Sequence, residues 1–241
     1  MAHRLLMLIT IALTISLGTT PTSADYEPAT RSVGLEVRKA LLQVQDHLFS
    51  GELDMALGKA RETSKTQNLS AYETYVIQSV IASVLINLEN YSEAAIALKA
   101  ALATGQEPAE SVPNQVKSIA ALHYNAGEYL ESIKAGEQLF NITGNEKDTQ
   151  ILVMIAQARF ILKDYKATAT RIQTAINEAD YAGDSVDKRW VLLWIASEYQ
   201  TGNAAGVALA LKEFAKRFPD SNYYLEWRLF PILRGFPPVE M

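Results

Sequence analysis

The chain has 241 residues, with 22 Lys and Arg against 27 Asp and Glu, and it contains no cysteine. A formal net charge of −5 without a basic cluster excludes a nucleic-acid binder, because neutralising phosphates needs clustered Lys and Arg. The lack of cysteine excludes disulfides and leaves no thiol to carry a lipid.

The N-terminus reads as an export signal over residues 1–24. Arg4 supplies the positive charge, Leu5 to Leu17 is apolar apart from hydroxyl side chains, and Gly18 and Pro21 end any helix. Thr22, Ser23 and Ala24 are small residues of the kind a signal peptidase accepts. The apolar run is shorter than the roughly 20 residues a bilayer span requires. Cleavage is expected after Ala24, giving a mature chain that starts at Asp25 and has no membrane span. An exported, disulfide-free, helix-rich chain points to the periplasm of a Gram-negative bacterium. Residues 25–36 are expected to form a short polar arm.

From residue 37 one phrase recurs: a helical run, a short polar turn, and a second helical run that starts near a small residue. It occurs at Leu88 to Ala95, Ala126 to Ile133 and Leu162 to Ala169, with weaker copies at Ser50 to Leu57 and Thr201 to Ala208. The turn residues are Leu53, Tyr91, Tyr129, Tyr165 and Ala204, at intervals of 38, 38, 36 and 39 residues. Near-constant spacing of this kind is the signature of a repeat array. The units are expected at 37–74, 75–112, 113–148, 149–187 and 188–221.

Three residues after each turn residue stand Ala56, Ala94, Ser132, Thr168 and Val207; nine before it stand Val44, Ala82, Ala120, Ala156 and Ile195. Small side chains at both places let the two helices of a hairpin approach closely. The expected architecture is all-α: ten helices in a right-handed superhelical solenoid of about five repeats, with the first helices lining a concave face. Pro219 stops the last repeat. Residues 222–241 begin with the apolar run Tyr223 to Leu229 and are expected to form a C-terminal capping helix and tail.

These helix-turn-helix units resemble tetratricopeptide (TPR) repeats, whose unit is about 34 residues, with lengthened loops between repeats. The resemblance covers nearly all of the mature chain. A narrower one is carried by Ser70 to Ile77 (Ser-Ala-Tyr-Glu-Thr-Tyr-Val-Ile), Ala100 to Gly105 (Ala-Ala-Leu-Ala-Thr-Gly) and Phe214 to Tyr224. Those stretches and their spacing look like the periplasmic TPR proteins described as components of TonB energy-transduction systems. The resemblance implies an accessory protein beside an inner-membrane motor that energises outer-membrane transporters. The stretch Leu211 to Tyr224 is also similar to the last repeats of TPR proteins that serve Tol-Pal and outer-membrane assembly, although the lipidated cysteine of the assembly lipoproteins and the coiled coil of the Tol-associated type are missing.

No catalytic signature is present: no Gly-rich phosphate loop, no Gly-x-Ser-x-Gly elbow, no His-Glu-x-x-His. His47 and His123 share one repeat position, six before the turn residue, which points to packing rather than to a metal site or a general base. The chain is therefore read as a non-enzyme without cofactor or metal.

The TPR resemblance implies that the residue five before each turn residue points into the groove. Here these are Leu48, Ile86, Tyr124, Phe160 and Tyr199, flanked by the amides Asn87, Asn125, Gln157 and Gln200. The expectation is an aromatic-aliphatic groove for a protein or peptide partner, a TonB-system component being the leading one. A peptidoglycan or small-ligand binder using the same rings is the alternative. Such a stripe is core instead if superhelical packing or the C-terminal segment covers it. Few cations accompany it, with Arg38, Lys117 and Arg189 the clearest, so a clamp for a terminal carboxylate is not expected.

Overall fold

The computed structural model of the protein describes residues 31–221. The export signal at 1–24, residues 25–30 of the arm and the capping segment at 222–241 lie outside the described residues. Within them there are ten α-helices and no strand: α1 (Leu35–Phe49), α2 (Leu53–Thr63), α3 (Ala71–Asn87), α4 (Tyr91–Ala103), α5 (Val112–Asn125), α6 (Tyr129–Thr143), α7 (Thr149–Ile161), α8 (Tyr165–Ala182), α9 (Lys188–Gln200) and α10 (Ala204–Arg217). They pair as five hairpins. Each helix packs on those before and after it, and α1 also meets α3, α5 meets α7 and α7 meets α9. No described helix is long and apolar enough to cross a membrane.

The five turn residues are each the first residue of the second helix. The preceding turn is the same in every unit. The residue two before the turn residue is left-handed in all five: Gly51, Glu89, Gly127, Lys163 and Gly202, with φ of 74°, 58°, 77°, 63° and 71°. That conformation ends the first helix. The next amide reaches back five residues, as from Glu128 to the carbonyl of His123 at 2.8 Å and from Asp164 to that of Arg159 at 2.9 Å. Left-handed backbone is easy for glycine and costs other residues about 1–2 kcal/mol, so two of the five turns carry strain.

A side-chain pair crosses most of these turns. The residue six before the turn residue meets the one just before it: His47 with Glu52 at 2.6 Å, His123 with Glu128 at 2.5 Å, Arg159 with Asp164 at 3.0 Å and Asn203 with Glu198 at 2.8 Å. In the second unit the places are held by Leu85 and Asn90, and Asn90 caps α4 by accepting from the amide of Glu93. Both histidines are thus parts of a hairpin turn, and His123 is also buried.

Within each hairpin the small residues meet. Ala56, Ala94, Ser132 and Thr168 are fully buried, as are Ala82, Ala120, Ala156 and Ile195 opposite, and Val44 is nearly so. Val207, the bulkiest of its set, is half-buried. A second face binds hairpin to hairpin. It lies four, seven and eleven residues after the turn residue. Leu57 and Ala60, then Ala95 and Leu98, then Ile133, Gly136 and Phe140, then Ala169, Ile172 and Ile176 are buried, while Ser64 and Leu102 at the eleventh place of the first two units are half-buried. Gly136 shows how close the approach is, since a Cβ there would lie 2.8 Å from Ile155 and 3.1 Å from Ile151 of α7.

Polar links join the same neighbours. Ser92 donates to Glu128 at 2.6 Å, Lys117 to Asp148 at 2.8 Å, and Arg217 grips Asp180 with both terminal nitrogens at 2.8 and 2.5 Å. Arg61 pairs with Glu93. A larger network joins Glu137, Arg159, Asp164, Arg171 and Glu146.

Two boundaries differ from the sequence reading. The second unit starts at Ala71, not 75, because Ser70 and Glu73 form a reciprocal capping box: the Ser70 hydroxyl accepts from the Glu73 amide at 3.1 Å and Glu73 accepts from the Ser70 amide at 2.8 Å. The same carboxylate accepts from the amide of Gly34 at 3.0 Å, and these backbone bonds hold its pKa below the ordinary value. The first helix starts at Leu35, and Val33 before it is buried.

Two outcomes follow from this geometry. Changing Lys163 to Gly should stabilise the protein by about 0.5–1 kcal/mol, while Gly127→Ala should cost about 1 kcal/mol, both read from urea midpoints. A loss of stability on Lys163→Gly would refute the strained turn. Changing Ala120 to Phe overpacks the third hairpin and should cost about 1–3 kcal/mol. Because each hairpin touches mainly its neighbours, that variant should also melt less cooperatively by circular dichroism, with a broader transition rather than one merely shifted.

Candidate functional site

The stripe five before each turn residue sits on the last turn of the first helices, and its members have very different exposures. Tyr124 and Phe160 are buried, at 4% and 8% exposure; Leu48 and Ile86 are half-buried; Tyr199 is 63% exposed. The expectation that Tyr124 and Phe160 form an open groove floor is therefore corrected.

The physical reason is the turn residue itself. A residue on the last turn of the first helix and the first residue of the second helix face each other across the bend. When both are aromatic they pair. Tyr124 meets Tyr129 edge-on at 5.5 Å between centroids, and Phe160 meets Tyr165 in the same way at 5.1 Å. Each such pair contributes about 0.5–1.5 kcal/mol beyond the burial of its area. In the last unit the turn residue is Ala204, which offers no ring, and Tyr199 stays open. Burial pushes the Tyr124 hydroxyl above its ordinary pKa, with the neighbouring Tyr129 a smaller cause.

The open row lies one residue further on. Phe49 is 69% exposed, Asn87 and Gln200 are exposed, and Asn125 and Ile161 are half-buried. This row holds one residue from each hairpin at the same register. Gln157, one turn earlier on α7, is half-buried. The side-chain amide of Asn87 donates to the carbonyl of Ser83 at 2.8 Å, which leaves its oxygen as an acceptor. Of the expected amides, Asn87, Asn125 and Gln200 thus share the row with Phe49 and Ile161, and Tyr199 adjoins Gln200.

The expected cations are engaged locally. Lys117 is bound to Asp148, Arg189 folds onto Asp187 at 2.9 Å, and Arg38 donates to the carbonyl of Val33 at 3.1 Å. Bonds from Ser92 and His123 hold the Glu128 carboxyl below its ordinary pKa. No group of three or more His, Asp or Glu among the described residues is placed to hold a metal. A hollow of about 230 Å³ lies among Pro113, Asn114, Lys117, Leu139 and Asp148. It is smaller than the roughly 300–1,000 Å³ of small-molecule sites.

No family model matches the chain, and no curated protein matches it in sequence. Solved structures do match. The chain is similar to the MamA protein with a TM-score of 0.56 at 10% identity, over 80% of this chain and 97% of that one. It is similar to YrrB, a TPR protein with an unusual peptide-binding site, with a TM-score of 0.54 at 13% identity, over 78% of this chain and 90% of that one. A tetratricopeptide repeat protein from Parabacteroides merdae ATCC 43184 gives 0.55 at 16% identity, over 81% and 72%. Identities this low speak to the fold, and the chain carries the all-helical solenoid fold of tetratricopeptide-repeat proteins.

Proposed function

We propose that the protein is a periplasmic interaction scaffold that binds an extended segment of a partner protein, and that it serves as an accessory of a TonB-type energy-transduction system. The observation that carries the binding role is the row Phe49, Asn87, Asn125, Ile161 and Gln200, which sets one exposed or half-buried side chain per hairpin at the same register. Amides at such spacing suit the backbone of an extended peptide, and the exposed Phe49 and Tyr199 supply apolar anchors. The peptide-binding site of YrrB is in keeping with this use of the fold. The TonB assignment rests on the resemblance of Ser70 to Ile77, Ala100 to Gly105 and Phe214 to Tyr224 to periplasmic members of that group. The periplasmic placement rests on Arg4, the run Leu5 to Leu17 and Ala24.

A Tol-Pal or outer-membrane assembly partner, or a peptidoglycan fragment, would use the same row. Titration of the purified protein with the periplasmic domain of the TonB protein from its own organism, and separately with soluble muropeptides, distinguishes these. Binding to the TonB domain is expected, and loss of at least about tenfold in affinity is expected for Phe49→Ser combined with Tyr199→Ser, with helicity retained. Equal affinity of the folded double variant would reject the row. Binding to muropeptides alone would reject the TonB assignment. Amino-terminal sequencing of protein from an envelope fraction should begin at Asp25, and an uncleaved product would overturn the export reading.

A further inference from the structure

Leu35, Leu42 and Phe49 of α1 are 67%, 52% and 69% exposed. They stand seven residues apart, which sets them on one line down the whole helix, the spacing by which one helix meets another along its length. Eleven before the turn residue, where α1 has Leu42, the later first helices have Val80 and Ser118, both half-buried, and Met154 and Leu193, both buried. The side that receives the preceding hairpin is different in α1. Ile151 and Ile155 of α7 meet Gly136 of α6 there. Lys39 and Gln43 hold the same two places in α1, and Asp46 holds the place of the buried Val84, Leu122 and Ala158; all three are exposed. A hairpin stacked on α1 in the manner of the array would bury these polar groups at a cost. The apolar line therefore suits a single helix laid along it, with Lys39 and Asp46 at its flank.

We propose that this helix is α1 of a second copy of the chain, running antiparallel about a twofold axis beside Leu42. Leu42 then meets Leu42, and Leu35 of each copy meets Phe49 of the other. Charge favours the same arrangement. The first half of α1 carries Arg38 and Lys39, and the second half carries Asp46. The axis sets a residue four before Leu42 beside the one four after it. Arg38, with the exposed Lys39 next to it, thus lies beside Asp46 of the second copy, and symmetry makes this contact twice. A parallel pairing would set like charges together instead. One helix per copy makes a small interface of the weak, reversible class. The pairing goes beyond the peptide-binding reading. Because Phe49 serves both surfaces, a second copy and a partner segment exclude each other at the first unit.

Sedimentation equilibrium of the purified protein over about 1–100 μM should show a monomer in equilibrium with a dimer and nothing larger. Leu42→Asp, at an exposed place, should raise the dimer Kd at least about tenfold with the circular dichroism spectrum unchanged. Lys39→Asp and Asp46→Lys should each raise it at least about threefold, and the two together should return it to within about twofold of the original. The chain has no cysteine, so Leu42→Cys reports on the axis itself. Under mild oxidation it should link two copies at least about tenfold faster than Asp184→Cys, at an exposed loop position. A monomer across the whole range would overturn the proposal. So would species that grow beyond the dimer, which mark head-to-tail stacking, a dimer indifferent to Leu42→Asp, or a charge exchange that restores nothing. None of the substituted residues belongs to the row, so failure of the dimer and failure of partner binding are read separately.

Discussion

Close approach between helices is the constraint on which the rest of this structure depends. A two-helix hairpin has too little interior to bury large side chains on both of its faces. The inner contact is therefore made by Ala, Ser and Thr, at Ala56, Ala94, Ser132 and Thr168 against Val44, Ala82, Ala120 and Ala156. With backbones this close, most of the larger apolar side chains face outward from the hairpin, where the next hairpin covers them. The joining face around Gly136 and Phe140 is such a place, with Ile151 and Ile155 pressed against it. Stability is thus shared between the contact inside each hairpin and the face that its neighbour covers.

The same constraint decides which residues reach the surface. A side chain on the last turn of a first helix either leans onto the start of the second helix or turns outward. Tyr124 and Phe160 lean, because Tyr129 and Tyr165 give them a ring to meet. Of the residues one further along, Phe49, Asn87 and Gln200 turn outward and Asn125 and Ile161 are half-buried. The division between core and surface at this edge is a one-residue matter of helical rotation, about 100° around the axis.

The repeat register was legible in the sequence because the turn residue recurs at near-fixed spacing, and each turn residue is in fact the first of its helix. Ser70 and Glu73 carry a readable signal for the start of α3, the Ser-x-x-Glu capping pattern, which the interval count alone passes over. The left-handed turn position could be read at Gly51, Gly127 and Gly202 but not at Glu89 or Lys163, since only the neighbouring units reveal that those side chains occupy a glycine's conformation. The exposure of the aromatic stripe was not legible from its register. Repeat position alone treats Tyr124, Phe160 and Tyr199 as equivalent, whereas their exposure depends on a second residue, the turn residue, which is aromatic in two of those units and alanine in the third. Tyr129 and Tyr165 were in plain view, and pairing each with the residue five before it distinguishes the three rings.

The ion pairs are distributed unevenly along the array. Glu137 accepts from both Arg159 and Arg171, which reach on to Asp164 and Glu146, so that α6, α7 and α8 are laced together. Between the first two hairpins the side-chain pair is Arg61 with Glu93. A solenoid of nearest-neighbour contacts behaves as a spring whose stiffness is set locally, coil by coil. Arg217 of α10 adds a two-pronged link to Asp180 of α8, so the ion pairs gather towards the later coils. The coils so laced have more links to break before they part than the first two, within one continuous fold.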